Sequence, residues 1–131
     1  MATVTVSLAF NFLAGQDWTW SMTSRGASSF VYSNALHRQV VEGTFSYDAN
    51  LNASGRVSAT SHFLNDLPAY TITGVDVSAA SVQSALKGAG NTQALYALLL
   101  AGDDSIDGSG GADRLLGYDG NDVLRGNFGN D

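Results

Sequence analysis

The sequence predicts an all-β protein built from three parts, and three residue patterns define them. Apolar residues alternate with polar ones through residues 1–77, which is typical of antiparallel strands with one buried face. The spacing becomes helical over residues 78–101, and a nine-residue period runs through residues 102–131. We therefore expect an antiparallel sheet or sandwich-like domain, then a short helical connector, then a parallel β-roll.

The first part reads as short strands separated by turn residues. Its first strand places a large apolar side chain at every second position: Val4, Val6, Leu8, Phe10 and Phe12. The second strand repeats the alternation with three more: Trp18, Trp20 and Met22. Further strands are predicted over residues 30–32, 38–47, 56–64 and 69–77. The recurring apolar face predicts an antiparallel meander with one buried side.

The second part has the spacing of short helices. Ser78 can cap a helix over residues 79–87, which Gly88 would end, and a second helix is predicted over residues 92–100. The second helix runs directly into the first nine-residue repeat. We therefore expect this helix to cover the open end of the β-roll and to hide its first strand edges.

The third part repeats a glycine, an aspartate and an aliphatic residue in one phase. Aspartates recur at nine-residue intervals: Asp104, Asp113, Asp122 and Asp131. A glycine lies two residues before each aspartate, and an aliphatic residue lies two residues after each of the first three. A flexible tail rich in glycine and aspartate, the alternative interpretation, gives no reason for aliphatic residues to keep this phase. The period instead predicts the stacked units of a parallel β-helix.

The residue types of these repeats suit Ca²⁺. This ion takes about 6–8 oxygen ligands, mainly carboxylates and carbonyls, and glycine permits turns that point several carbonyls at one place. If one repeat forms half a coil, then turns on the same side come from alternate repeats, which pairs Asp104 with Asp122 and Asp113 with Asp131. Two calcium sites between turns follow. The segment has few apolar residues to offset its ordering, so we expect folding to require the ion.

Composition and charge exclude several classes of function. The net charge of the 131 residues is −6, and residues 102–131 hold most of it, with two arginines and seven aspartates. A nucleic-acid-binding protein would show a basic face instead. Without cysteine, the chain has neither disulfides nor thiolate metal sites, and no apolar stretch is long enough to span a membrane. The start lacks the basic region of a cleavable signal peptide.

No residue pattern typical of an active site is present, so we expect the chain not to be an enzyme. The two histidines, His37 and His62, lack a carboxylate at useful spacing and are predicted to be half-exposed strand residues. Trp18 and Trp20 could form an aromatic platform for a sugar. A place in the core is favoured for them, because Met22 continues the same face.

Residues 99–131 resemble the nonapeptide repeats of RTX (hemolysin-type) proteins, which are bacterial calcium-binding exoproteins. The resemblance implies that four carboxylates bind Ca²⁺: Asp104, Asp113, Asp122 and Asp131. It also implies that backbone oxygens complete the ligand shells, at Gly102, Gly108, Gly110, Gly117, Asp119 and Gly126. Leu99 and Leu100 stand where the family has a glycine pair, so we expect the site of Asp104 and Asp122 to be looser.

The same resemblance implies type I secretion and a secreted or cell-surface location. The family's export signal lies at the extreme C-terminus, whereas this sequence stops within a repeat, so we expect an N-terminal piece of a longer chain. Our leading hypothesis is a calcium-folded structural module for adhesion or for self-assembly into an extracellular layer, with copies of itself or cell-surface glycans as partners. The alternatives are a carbohydrate-binding module and the non-catalytic leader of a larger secreted hydrolase.

Overall fold

The computed structural model of the protein describes residues 1–8, 10, 20–87 and 92–131. Its strands in chain order are β1 (Thr3–Val6), β2 (Ser21–Arg25), β3 (Ser29–Ser33), β4 (His37–Tyr47), β5 (Ala53–Leu64), β6 (Leu67–Ser78), β7 (Ser105–Asp107) and β8 (Val123–Arg125). Two helices precede β7: α1 (Ala79–Lys87) and α2 (Thr92–Leu99). The expected all-β class with a short helical segment is confirmed. The expected strand end at Phe12 and helix end at Gly88 lie outside the described residues.

Strands β2 to β6 form an antiparallel meander as predicted, but the prediction also placed the first strand before β2, whereas β1 lies beside β6. The strands of the meander follow one another in the sheet, and each is antiparallel to the next. The β5–β6 hairpin turns on Asn65 and Asp66, which have φ values of 51° and 62°. Asparagine and aspartate adopt this left-handed conformation more readily than most residues. The turn is tighter than the sequence suggested, because Leu67 and Pro68 already belong to β6.

Helices cover the apolar face of the meander. Helix α1 packs on β5 and β6, and α2 packs on α1 and β6. The buried core joins residues of the strands and helices: Val41, Val57, Ile72, Val82, Leu86, Leu95 and Leu99. Within the described ranges all strands belong to one sheet, so the sandwich-like form of the expectation finds no second sheet there. The two helices supply the apolar surface that a second sheet would supply.

Strand β1 joins the meander to the repeats. It pairs antiparallel with β6 on one side and parallel with β7 on the other, and β7 pairs parallel with β8. The sheet order is therefore β2-β3-β4-β5-β6-β1-β7-β8. The expectation that the second helix hides the first strand edge of the repeats is wrong, since β1 pairs with that edge. A strand satisfies edge amides and carbonyls, which the side of a helix cannot do.

A buried polar network lies beneath this sheet and contains His62. Only 2% of His62 is exposed, so the expectation of a half-exposed residue is wrong. Its Nδ1 lies 2.7 Å from Gln39 Oε1, its Nε2 lies 3.3 Å from His37 Nδ1, and its ring stacks on Tyr70 at 9°. The Tyr70 hydroxyl in turn donates to Gln39 Oε1. These partners satisfy the imidazole without solvent, which is why burial is tolerated.

Acid should destabilise the protein through His62. Burial, together with the neighbouring His37, lowers the pKa of His62 from 6.5 to about 4. The unfolded chain therefore binds the proton first as the pH falls, and stability that is present above pH 6.5 is lost towards pH 4. We expect a loss of about 2 kcal/mol between pH 7 and pH 5, measured by urea unfolding in the presence of a chelator. His62→Gln should remove this dependence, and an equal slope in that variant would contradict the assignment.

Gly55→Ala should destabilise the meander, whereas Gly26→Ala should be nearly neutral. Gly55 has a φ of +113°, and a Cβ there would overlap the carbonyl oxygen of Thr44 on β4. Alanine would therefore add backbone strain and a steric clash, at a cost of about 1–3 kcal/mol. At Gly26 the nearest atom, Ser29 O, lies 3.7 Å from such a Cβ, an ordinary contact. Thermal unfolding measures both variants, and equal losses of stability would refute the argument.

Candidate metal centre

The repeats stack so that alternate repeats lie side by side. Strand β7 belongs to the repeat of Asp104 and pairs in parallel with β8 from the repeat of Asp122. The two aspartates are 18 residues apart, and Asp113 and Asp131 are brought together at the same offset. An offset of two nonapeptides is what half a coil per repeat predicts. The structure therefore brings together both aspartate pairs that the sequence singled out.

In each pair, the carboxylate of the later aspartate accepts a hydrogen bond from the backbone amide of the earlier one. We describe the earlier repeat as the repeat above, and the later repeat as the lower one. Asp104 N donates to Asp122 Oδ1 at 2.9 Å, and Asp113 N donates to Asp131 Oδ1 at 2.9 Å. The carboxylates of the upper two aspartates accept from two N-terminal amides, those of Ala2 (2.5 Å) and Phe10 (2.8 Å). One carboxylate of each pair thus faces the repeat above it, and the other faces the N-terminal segment.

At three of the six predicted backbone positions, a side chain would take up space that one of these carboxylates occupies. We call such a glycine position a carboxylate seat. A Cβ at Gly108 would lie 3.0 Å from Asp113 Oδ2, and one at Gly126 would lie 2.5 Å from Asp131 Oδ2. At Gly117, a Cβ would overlap the Asp122 carboxylate. Each seat lies five residues before its aspartate, so glycine is needed there for space. The other predicted positions are not close to a carboxylate in this way: Gly102 and Gly110 have nothing within 4 Å of a Cβ, and Asp119 is exposed.

The carboxylates of the first two repeats differ in their protein partners. Asp113 Oδ2 accepts hydrogen bonds from Ser109 N at 2.7 Å and Ser109 Oγ at 2.9 Å. Asp104 is only 2% exposed, yet its Oδ2 has no partner. The position equivalent to Ser109 is Leu100, whose amide donates to Tyr96 O at the end of α2. The helix therefore removes the donor that Asp104 Oδ2 would otherwise have.

These residues fit Ca²⁺. The available ligands are carboxylates and backbone carbonyls, which are the oxygen donors that this ion prefers. A buried carboxylate oxygen without a protein donor, as at Asp104, is costly unless a cation or water binds it. Among the described residues, no three His, Cys, Asp or Glu side chains converge. A bound Ca²⁺ would therefore take most of its ligands from backbone carbonyls, and the ion would supply the positive charge that these carboxylates lack.

Other residues join the stacked turns, although the predicted ligand set did not include them. Asp103 Oδ1 accepts the amide of Asn121 at 2.8 Å, and the side chain of Asn127 donates to Gly108 O at 2.6 Å. Two glycines with positive φ lie close to the backbone of the repeat above: Gly120 (φ 127°, next to Gly102) and Gly129 (φ 122°, next to Gly111). Their nine-residue phase was visible in the sequence. Their contacts, however, depend on how closely the turns approach one another.

Comparison with known families decides what this segment is. Residues 100–131 match the RTX calcium-binding nonapeptide repeat family, in four copies. These residues are RTX repeats. The predicted resemblance is therefore confirmed, and so is Ca²⁺ as the ion that this repeat family binds. No curated protein and no solved structure matches the chain significantly.

The RTX repeats set a broad context for the chain. Such repeats are typical of secreted or extracellular proteins, and the repeat family is generally non-catalytic. In the described part of the chain, neither helix is long and apolar enough to cross a bilayer.

The predicted aromatic platform is described only in part. Trp18 lies outside the described residues. Trp20 is half-buried, and its Nε1 donates to Leu86 O of α1 at 2.6 Å. Its ring lies beside His62, with centroids 6.1 Å apart. Trp20 thus packs towards the core, which is the role that the sequence favoured over sugar binding.

Proposed function

We propose that this chain is a calcium-dependent folding module in which an antiparallel scaffold supports a β-roll. The observation that supports this proposal is the stacking of alternate repeats at an 18-residue offset. In this arrangement, an aspartate of each lower repeat faces the repeat above. Calcium would bind between stacked turns and lock them together. The domain division at residues 77 and 101 is part of this proposal, with β1 as the strand shared by scaffold and roll.

Charge supports the need for a cation in the roll. Residues 102–131 hold seven aspartates and two arginines. In the described chain, the one ion pair within this segment joins Arg125 and Asp107 at 3.3 Å, and both side chains are largely exposed. Exposed pairs contribute little, about 0–1 kcal/mol. Stacking therefore brings acidic turns together with little compensation from the arginines, and Ca²⁺ is the natural counterion.

The ligands we propose are the four in-phase aspartates together with carbonyls of the glycine turns. Asp122 and Asp131 carry the carboxylates that lie between repeats, so they should contribute most to the two sites. Sites of modest affinity suit a protein that folds outside the cell, because extracellular modules bind Ca²⁺ with Kd values of about 10⁻⁴–10⁻³ M. Export through a type I system, with the repeats unfolded until they meet Ca²⁺, belongs to the same proposal.

Adhesion or self-assembly is the biological role we propose for the folded module. At the other end of the sheet order from the repeats, β2 is the edge strand of the described chain, and four of its five residues are exposed. An exposed strand edge is a surface on which another strand can pair. Light scattering across a calcium titration tests this role, and a chain that stays monomeric throughout would exclude self-assembly.

Calorimetric titration with Ca²⁺, followed in parallel by circular dichroism, tests the core of the proposal. We expect about two ions to bind in the extracellular concentration range, with a gain of β signal, and a chelator to reverse both. Titration with Mg²⁺ is the control, because this smaller ion demands octahedral geometry and keeps its waters. Absence of both heat and spectral change would overturn the proposed function.

A further inference from the structure

Strand β1 pairs with β7 of the first repeat in the same parallel register in which β7 pairs with β8 of the third repeat. Val4 is the parallel partner of Ile106, and Ile106 is the parallel partner of Leu124. Val4 and Ile106 are fully buried, at 0% and 1% exposure. The aliphatic column that defines the repeats therefore continues into a strand that is not itself a repeat.

The hydrogen bonds repeat in the same way on this side of the stack. Ser105 N donates to Ala2 O at 3.0 Å, just as Val123 N donates to Asp104 O at 2.8 Å. Ala2 N donates to Asp104 Oδ1, just as Asp104 N donates to Asp122 Oδ1. Ala2 thus occupies the place of an aspartate one coil above Asp104, contributing the backbone groups of that position but no carboxylate.

The other side of the stack shows the same arrangement with Phe10. Phe10 N donates to Asp113 Oδ1 at 2.8 Å, as Asp113 N donates to Asp131 Oδ1 at 2.9 Å. Phe10 O also accepts the amide of Arg114 at 2.8 Å. Ala2 and Phe10 are eight positions apart, close to the nine that separate Asp104 from Asp113. One N-terminal segment therefore covers both sides of the first coil.

This N-terminal segment is held in place by groups that need no ion. Strand β1 pairs along its whole length with β6, from Thr3↔Thr73 to Val6↔Tyr70. The ring of Phe10 packs edge-on against Tyr70 at 4.9 Å and lies near Tyr96 at 6.2 Å. The donors for Asp104 and Asp113 are thus fixed by the meander and its aromatic core.

We propose that residues 2–8 and 10 act as a surrogate coil, in which the amides of Ala2 and Phe10 position the carboxylates of Asp104 and Asp113. The inference rests on the proposed calcium-dependent stacking and deepens it. Stacked repeats gain stability from their neighbours, so a first coil that is already paired lowers the cost of ordering the next. If fewer residues must become ordered when Ca²⁺ binds, then less of the binding free energy is offset by that ordering. The apparent calcium affinity is therefore higher.

Hydrogen exchange of the full chain in a chelator gives the first test. Ser105 N, bonded to the surrogate coil, should stay protected without Ca²⁺, whereas Val123 N should gain its protection only when Ca²⁺ is added. Equal loss of protection at both amides in the chelator would overturn the proposal. If Val123 never responds to Ca²⁺, the proposed function fails instead, and protection of Ser105 in the chelator still decides the surrogate coil.

Matched substitutions in β1 give the second test. Val4 and Val6 are both buried, at 0% and 4% exposure, but only Val4 has a parallel partner in β7. Val4→Ala should raise the calcium midpoint of the roll by about 5-fold or more, while Val6→Ala should shift it by less than about 2-fold. Ala2→Pro, which removes the amide to Asp104 at a strand start where proline is tolerated, should act like Val4→Ala. Equal midpoints for the two valine variants would refute the surrogate coil.

Discussion

Replacing Gly117 by alanine should weaken calcium binding by about 10- to 100-fold, as the loss of a group that orients a metal ligand commonly does. A Cβ at Gly117 would overlap the side chain of Asp122, at its Oδ2, Cγ and Cβ atoms. Rotation of that side chain relieves the overlap with Oδ2 and Cγ only by moving the carboxylate away from the repeat above it, and the contact with Cβ, at 2.8 Å, requires a small shift of the turn as well. Because Gly117 does not have a positive φ, alanine adds no backbone strain, and the effect should fall on the ligand and much less on calcium-free stability.

Gly110→Ala is the matched control for this prediction. Gly110 lies in the same kind of turn, but a Cβ there would have nothing within 4 Å, and its φ is not positive. Calcium titration of the two variants by calorimetry should therefore separate a steric loss at a carboxylate seat from any general effect of adding a methyl group. Comparable affinities for Gly117→Ala and Gly110→Ala would show that the Asp122 carboxylate does not bind the ion from this position.

Local periodicity explains why most of the scaffold could be predicted from the sequence. Alternation of apolar residues and the change to helical spacing after Ser78 depend only on near neighbours, and the strands β3 to β6 and both helices follow them closely. The place of β1 could not be read in this way. Its parallel partner lies far along the chain, and the bond from Ala2 to Asp104 spans 102 residues. Nothing in the pattern of either segment alone specifies the other.

The candidate site could also be predicted where it depends on the repeat itself, but not where it depends on distant segments of the chain. The nine-residue phase was enough to pair Asp104 with Asp122, since the offset is a property of the repeat itself. The direction of each carboxylate depends on what lies above it, and for Asp104 that is an N-terminal strand. The burial of His62 was missed for a related reason, because its partners Gln39 and Tyr70 come from two other strands. Burial is therefore tolerated only once those strands have paired.

Asp104→Asn should shift stability in opposite directions with and without Ca²⁺. Asp104 is buried, its Oδ1 accepts one amide, and its Oδ2 has no protein partner. A buried charge without a partner costs several kcal/mol, so the neutral amide should stabilise the calcium-free chain by about 1–3 kcal/mol. In saturating Ca²⁺ the order should reverse, because the variant loses the charge of a proposed ligand. Urea unfolding in chelator and in Ca²⁺ measures both shifts.

Asp113→Asn is the informative comparison, because its carboxylate is buried to the same degree but has three protein donors. These donors are the amides of Phe10 and Ser109 and the Ser109 hydroxyl. An asparagine amide cannot accept as many hydrogen bonds as a carboxylate, so some of these donors would lose their acceptor. We therefore expect Asp113→Asn to destabilise the chain in chelator, where Asp104→Asn stabilises it. If both variants destabilise the calcium-free chain alike, then Asp104 Oδ2 already has a partner, such as bound water, and is not the uncompensated group that this prediction requires.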